Sequence, residues 1–151
     1  MRAGVRIGVD LGSVRIGVCM SDRDGILATP LETIPRGDGD LDRLVSLAQE
    51  HQALEFVLGM PTSLSGDAGP AAQAVMEFAQ LLAARLHIDV RLVDERMSTN
   101  QAARSLQSAG RSSKQSRKII DQQAAVVILQ AALDLERALG RPAGICVKVE
   151  Q

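Results

Sequence analysis

The stretch RIGVDLGSVRIGVC, residues 6–19, decides the fold. Small and β-branched apolar residues run up to Asp10, a Leu-Gly-Ser-Val connection follows, and the pattern restarts with the same four letters, Arg-Ile-Gly-Val. Two such runs across a short Gly-containing link predict an antiparallel hairpin over 4–10 and 15–21. Four repeated residues do not make a repeat architecture, which needs a period of about 20 or more. Asp10, at the end of the first run, has two readings. It is a turn acid accepting a backbone hydrogen bond, with Gly12 relieving the turn, or a carboxylate held at a strand end for chemistry.

Working outward, ILATPLETI (residues 26–34) reads as a third strand that Pro30 pushes toward a sheet edge. Leu41, Leu44, Val45, Leu47 and Ala48 recur at helical spacing up to about Gln52, with Asp40 as the expected N-cap. Leu54–Leu58 is a short buried strand, followed by the loop GMPTSLSGDAG. A helix from Pro70 to about Leu86 has Pro in its first turn, where helix starts favour it. IDVRLVD then alternates like a strand and ends at Asp94-Glu95-Arg96. Ser98 with Gln101 forms a capping box for a helix ending near Gly110. A longer helix spans about Lys114–Leu139, and Ile145–Val149 reads as a last short strand. The order βββαβαβαα predicts an α/β domain over residues 1–151: a mixed sheet, three antiparallel strands then parallel ones, flanked by helices.

Composition narrows the function classes. With 151 residues, 46% hydrophobic and 23% charged, the chain reads as one globular domain with a real core. Its longest uncharged apolar stretch, Ala124–Leu133, falls well short of the roughly 20 residues of a membrane span. Asp10 arrives before a signal-peptide core is built, so no membrane partner and a cytoplasmic location are expected. Cys19 and Cys146 stand far apart in no CxxC pattern and read as buried free thiols. There is no Trp or Tyr and only two Phe, which disfavours binding of single strands by base stacking. Arg104, Arg111, Lys114, Arg117 and Lys118 form a basic segment with no acid inside it. Its five charges leave −6 for the rest of a chain of net charge −1. Such a segment is a solvated face or a contact for a polyanion.

Open α/β sheets bind ligands beyond the carboxyl ends of their parallel strands. Asp10 ends the first strand, Asp94 and Glu95 end the fifth, and Asp121 lies early in the last helix. Adjacent on a strand, Asp94 and Glu95 point to opposite faces, so only one easily reaches a given site. Around Asp121, Lys114, Arg117 and Lys118 precede it on one helix face and Ala124, Ala125 and Ile128 follow. It is either a dipole-favoured acid paired with Arg117 or Lys118, or a carboxylate that small neighbours bring close to the sheet. Three convergent carboxylates form a hard oxygen site suited to Mg²⁺ or Mn²⁺ rather than zinc. Ions held in this way support phosphodiester hydrolysis. His51 and His87 are isolated, and no HExxH, Ser/His/Asp order or P-loop is present.

Taken together, IGVDLGSVRIGVCMSD, FVLGMPTSLSG, VRLVDERMST and SRKIIDQQAAVVIL closely resemble the YqgF (RuvX-type) family, described as pre-16S rRNA nucleases or Holliday-junction-resolvase homologues. The resemblance runs in order from about Ile7 to Leu129. It implies a ribonuclease H-like fold and a metal-dependent endonuclease site. It also implies that Asp10, Glu95 and Asp121 are catalytic and hold Mg²⁺ or Mn²⁺, with Asp94 as the alternative to Glu95. Gly12, Arg15, Gly59, Pro61, Gly66, Arg96, Lys114, Arg117 and Lys118 are the implied substrate contacts, where backbone amides and cations meet phosphate. In one departure from the family pattern, Thr62, Ser63 and Leu64 follow Pro61 in place of a basic residue or Asn.

The implied partner is nucleic acid: structured RNA such as precursor 16S rRNA, or branched DNA. Scarce aromatics suit backbone and shape reading in both. Cleavage of a four-way junction needs two active sites and so implies a homodimer. A nucleic-acid-binding assembly factor without catalysis is another reading of the same residues. An ATP-binding protein of the actin and sugar-kinase type also opens on Asp-x-Gly, but it uses two such domains and further Gly-rich loops.

Overall fold

The expected hairpin consists of β1 (Arg6–Leu11) and β2 (Arg15–Ser21), with Gly8 opposite Cys19 and Asp10 opposite Gly17. The computed structural model describes residues 1–61, 69–95 and 114–147, the side chains of 114–118 excepted. β3 (Ala28–Pro35) pairs antiparallel with β2 and is the edge strand that Pro30 predicts. On the other side of β1, β4 (Glu55–Met60) and then β5 (Asp89–Asp94) add in parallel, and β6 (Ile145–Cys146) closes the sheet antiparallel to β5. The order is β3-β2-β1-β4-β5-β6, a mixed α/β sheet of the expected kind. No helix among the described residues is long and apolar enough to cross a membrane.

Strand alternation divides the core into two layers. Ile7, Val9, Ile16, Val18, Phe56, Leu58 and Val90 face α1 (Asp40–Glu50) and α2 (Pro70–Arg85), meeting Leu44, Leu47, Val75, Phe78 and Leu82. The other face carries Cys19, Val57 and Val93 against Ala125, Ile128, Leu129 and Leu133 of α3 (Lys114–Leu139). Each fully buried Leu, Ile or Phe in these layers stabilises the fold by roughly 1.5–3 kcal/mol.

The doubled Arg-Ile-Gly-Val now has a physical explanation. The copies lie on antiparallel strands, so their glycines share one face and their arginines stand at opposite ends of the hairpin. A Cβ on Gly8 would come within 2.7 Å of Leu129 Cβ and 2.6 Å of Cys19 Sγ, and one on Gly17 would overlap the Asp121 carbonyl oxygen. The two glycines therefore let α3 lie directly on the sheet. The arginines then strap its ends: Arg6 bonds Glu136 at 2.8 Å and Arg15 bonds Asp121 at 2.7 Å.

At the Arg6 end a four-residue ion cluster is built into the structure. Arg2 bridges Glu55, at 2.9 Å, and Glu136, while Arg6, only 1% exposed, also donates to the carbonyls of Gly4 and Arg2. Burial opposes ionisation of Glu136, but Arg2 and Arg6 outweigh it and hold the carboxyl below its usual range.

Two local expectations change. The N-cap of α1 is Gly39, in the left-handed region at φ 89°, and not Asp40, whose carboxylate instead accepts from the amides of Gly37 and Leu41. Cys146 is half-buried where Cys19 is fully buried; of the strand expected over 145–149, β6 covers Ile145–Cys146, and 148 and 149 lie outside the described residues. The helix expected over 98–110 lies outside the described residues.

Candidate active site

Asp10 leaves β1 on the face that carries α3, two residues beyond Gly8, and sits opposite Gly17, the residue on which Asp121 rests. Glu95 follows β5 in step with Val93, which packs on the α3 side, whereas Asp94 is in step with Leu92, which packs on the opposite layer. A Cβ on Gly59 would meet Ile128 Cδ1 at 2.6 Å and Glu95 Cγ at 3.2 Å. The Glu95 side chain therefore lies over the end of β4, beside α3. Between the two acids left open by the sequence, Glu95 shares the face of Asp10 and Asp121.

The electrostatics register this convergence. Burial, then the charges of Glu95 and Asp121, push the Asp10 carboxyl up to about 6. Among the described residues, Asp10 has no hydrogen-bond donor or cation as a partner. Glu95 is also raised, by burial and then by Asp94. Asp121 is compensated, because its Oδ2 accepts from Arg15 Nε at 2.7 Å. That partner comes from β2, across the helix–sheet interface; the side chains of Arg117 and Lys118, the partners the sequence suggested, lie outside the described ones.

The β1–β2 loop is fixed from outside the hairpin. The Gly12 amide donates to the Arg15 carbonyl at 3.0 Å, and a Cβ on Gly12 would stand 2.5 Å from that oxygen. The closure of the loop thus accounts for this glycine. Arg36, which the sequence did not single out, donates from Nη1 to the Gly12 carbonyl at 2.8 Å and from its amide to the Val14 carbonyl at 2.9 Å. Its guanidinium lies over Phe78, 5.6 Å from the ring centroid, and 3.6 Å from Asp40. In sequence it is one more cation after a strand, and nothing in its neighbours marks it.

Gly59 lies next to the end of β4 beneath Ile128, and Pro61 follows just beyond the strand. Lys114, Arg117 and Lys118 open α3, at the end that carries Asp121, with their side chains undescribed. Gly66 and Arg96 lie outside the described residues. Three carboxylates are the donor type that hard divalent cations take, and Asp10, raised and without a cation among the described residues, marks a place short of positive charge. The residues fit such an ion by donor type and charge. Among the described residues, no three His, Cys, Asp or Glu side chains are yet gathered closely enough to hold one as they stand.

Comparison with known proteins joins this geometry to a lineage. The RuvX family, described as Holliday junction resolvase, matches residues 4–135. The chain belongs to the RuvX family. It is 54% identical to a protein of a Nocardioides species named "Putative pre-16S rRNA nuclease", over 98% of this chain and 99% of that one. A Streptomyces coelicolor protein of the same name is 51% identical, over 99% of this chain and 91% of its own. Among solved structures, Thermus thermophilus RuvC in complex with a Holliday junction substrate superposes with a TM-score of 0.60, covering 94% of this chain and 99% of that one. At 10% identity that likeness shows the fold alone: RuvC-like, of the ribonuclease H-like type. In this RuvX chain the carboxyl ends of β1, β4 and β5 and the start of α3 share one pole, and Asp10, Arg15, Glu95 and Asp121 stand there.

Proposed function

We propose that this RuvX-family nuclease is a divalent-cation-dependent endonuclease that processes the 5' end of precursor 16S rRNA during ribosome maturation, in the cytoplasm and as a single domain over residues 1–151. The observation that carries the reading is Asp10, a half-buried carboxylate pushed up to about 6 beside Glu95 and Asp121, with no cation of the protein's own among the described residues. The relatives' names supply the substrate class.

In this mechanism Asp10, Glu95 and Asp121 hold Mg²⁺ or Mn²⁺. When bound, such ions activate water and stabilise the leaving oxygen of a phosphodiester. The protein's own residues orient the nucleic acid. Arg15, Lys114, Arg117 and Lys118 meet phosphates around the carboxylates, with Gly59, Pro61, Gly66 and Arg96 as further substrate contacts. Gly12 keeps the β1–β2 backbone low beside the carboxylates, and Arg36 holds that loop in place. Phosphate contacts of this kind set register and carry no base sequence, so the shape of the RNA directs the cut.

A second reading, resolution of branched DNA, is favoured by the family's own description and the RuvC-like fold. It requires a homodimer, since a junction is cut on two strands. The deciding experiment is side-by-side cleavage of precursor 16S rRNA and synthetic four-way DNA junctions, with Mg²⁺ and with Mn²⁺, using wild type and Asp10→Asn. Cation-dependent cutting of the RNA that Asp10→Asn abolishes supports the proposal. Cutting of the junction alone moves the chain to the second reading, and binding without cleavage of either makes it an assembly factor.

A further inference from the structure

Arg15 stands where cation and phosphate would meet. Its backbone is fixed: its carbonyl accepts from Gly12, and the loop before it is pinned by Arg36 at Gly12 and Val14. Its guanidinium is less constrained. Nε donates to Asp121 Oδ2 at 2.7 Å, with the side chain 30% exposed at the mouth of the site. A guanidinium carries five donors in a planar fork that matches a phosphate oxygen pair as well as a carboxylate. The charge of Asp121 is thus one that the protein itself neutralises, through Arg15.

We propose that Arg15 couples the two ligands of the site, holding Asp121 in the free protein and passing to a phosphodiester oxygen when a divalent cation takes that carboxylate. The inference rests on the carboxylate reading given above. Its physical basis is competition. A cation at Asp121 displaces the guanidinium by charge and by occupying the same oxygens, and a bound phosphate offers the displaced head an equivalent anion. Each ligand then removes the cost that the other would meet alone, so cation and nucleic acid strengthen one another's binding.

The test uses the full chain and readouts that do not depend on cleavage. Mn²⁺ binding to the protein alone, followed by the EPR signal of the free ion, is expected to be about fivefold or more tighter in Arg15→Gln than in wild type. Arg15→Lys, which keeps the charge without the planar fork, falls between them. In ¹⁵N NMR the wild type shows a slowly exchanging arginine Nε–H resonance that Arg15→Gln and Asp121→Asn both lose and that shifts as Mg²⁺ is added. Far-UV circular dichroism checks that each variant is folded. If Arg15→Gln binds Mn²⁺ no more tightly than wild type while Asp10→Asn abolishes that binding, the role of Arg15 is overturned and the carboxylate reading stands. If wild type, Arg15→Gln and Asp10→Asn all take Mn²⁺ alike, both fall.

Discussion

The backbone carbonyl of Asp121 rests directly on Gly17, at a spot where any Cβ would overlap it. This contact places an acid of α3 beside Asp10, the cross-strand partner of Gly17. Gly17→Ala must move the helix or the hairpin, and is expected to cost about 2–3 kcal/mol. With no Trp or Tyr in the chain, urea unfolding followed by far-UV circular dichroism is the measurement. An unchanged midpoint would show that α3 does not lie this close to β2.

Asp10 should destabilise the free protein at neutral pH. Its carboxyl ionises near 3.8 in an unfolded chain and at about 6 when folded, so between those values the native state holds the extra proton. Stability therefore falls as pH rises through that window, and the loss is complete above it. The shift corresponds to roughly 2–3 kcal/mol. In EDTA, Asp10→Asn is expected to be more stable than wild type at pH 7.5, and its advantage should shrink toward pH 4.5. A variant less stable than wild type at pH 7.5 would contradict a half-buried charge without a cation among the described residues.

The two classes of ion pair should separate sharply. Glu136→Ala leaves the fully buried Arg6 without its carboxylate, and removing one partner of a buried pair costs about 3–5 kcal/mol. Asp42 pairs with Arg85, and both side chains are largely exposed. Asp42→Ala is expected to change stability by less than about 0.5 kcal/mol. Comparable losses in the two variants would refute the distinction.

Nucleic-acid binding offers a check on the start of α3. Replacing Arg117 and Lys118 together with Ala should weaken binding to any sequence and lower the salt slope of log affinity by up to ~2. Fluorescence anisotropy over a range of KCl concentrations reads the slope directly. A slope that does not change takes both residues off the phosphate contacts.

Much of this architecture was legible in the chain because it rests on local chemistry. Alternation gave β1, β2 and β5, and Pro30 marked an edge. The run of Ala124, Ala125 and Ile128 pointed to a helix lying close on a sheet. What could not be read was long-range pairing. Glu136 is 130 residues from Arg6, and Asp121 is 106 from Arg15. Nothing in either acid's neighbourhood distinguishes a partner in the same helix from one across the sheet. The choice between Asp94 and Glu95 was also unreadable, since alternation says that they diverge but not which way the strand is turned. Packing of Val93 on α3 sets that direction.

The two arginine straps make α3 a measuring rod. Its clamped acids, Asp121 and Glu136, are fifteen residues apart, about 22 Å along the axis, and their arginines are fixed at the two ends of one hairpin. One residue inserted or deleted between the acids would rotate one of them by about 100° around the helix, off its arginine. The span of this helix is thus set to the hairpin residue by residue, so changes in chain length should be tolerated in the connections outside Asp121–Glu136 and excluded within it.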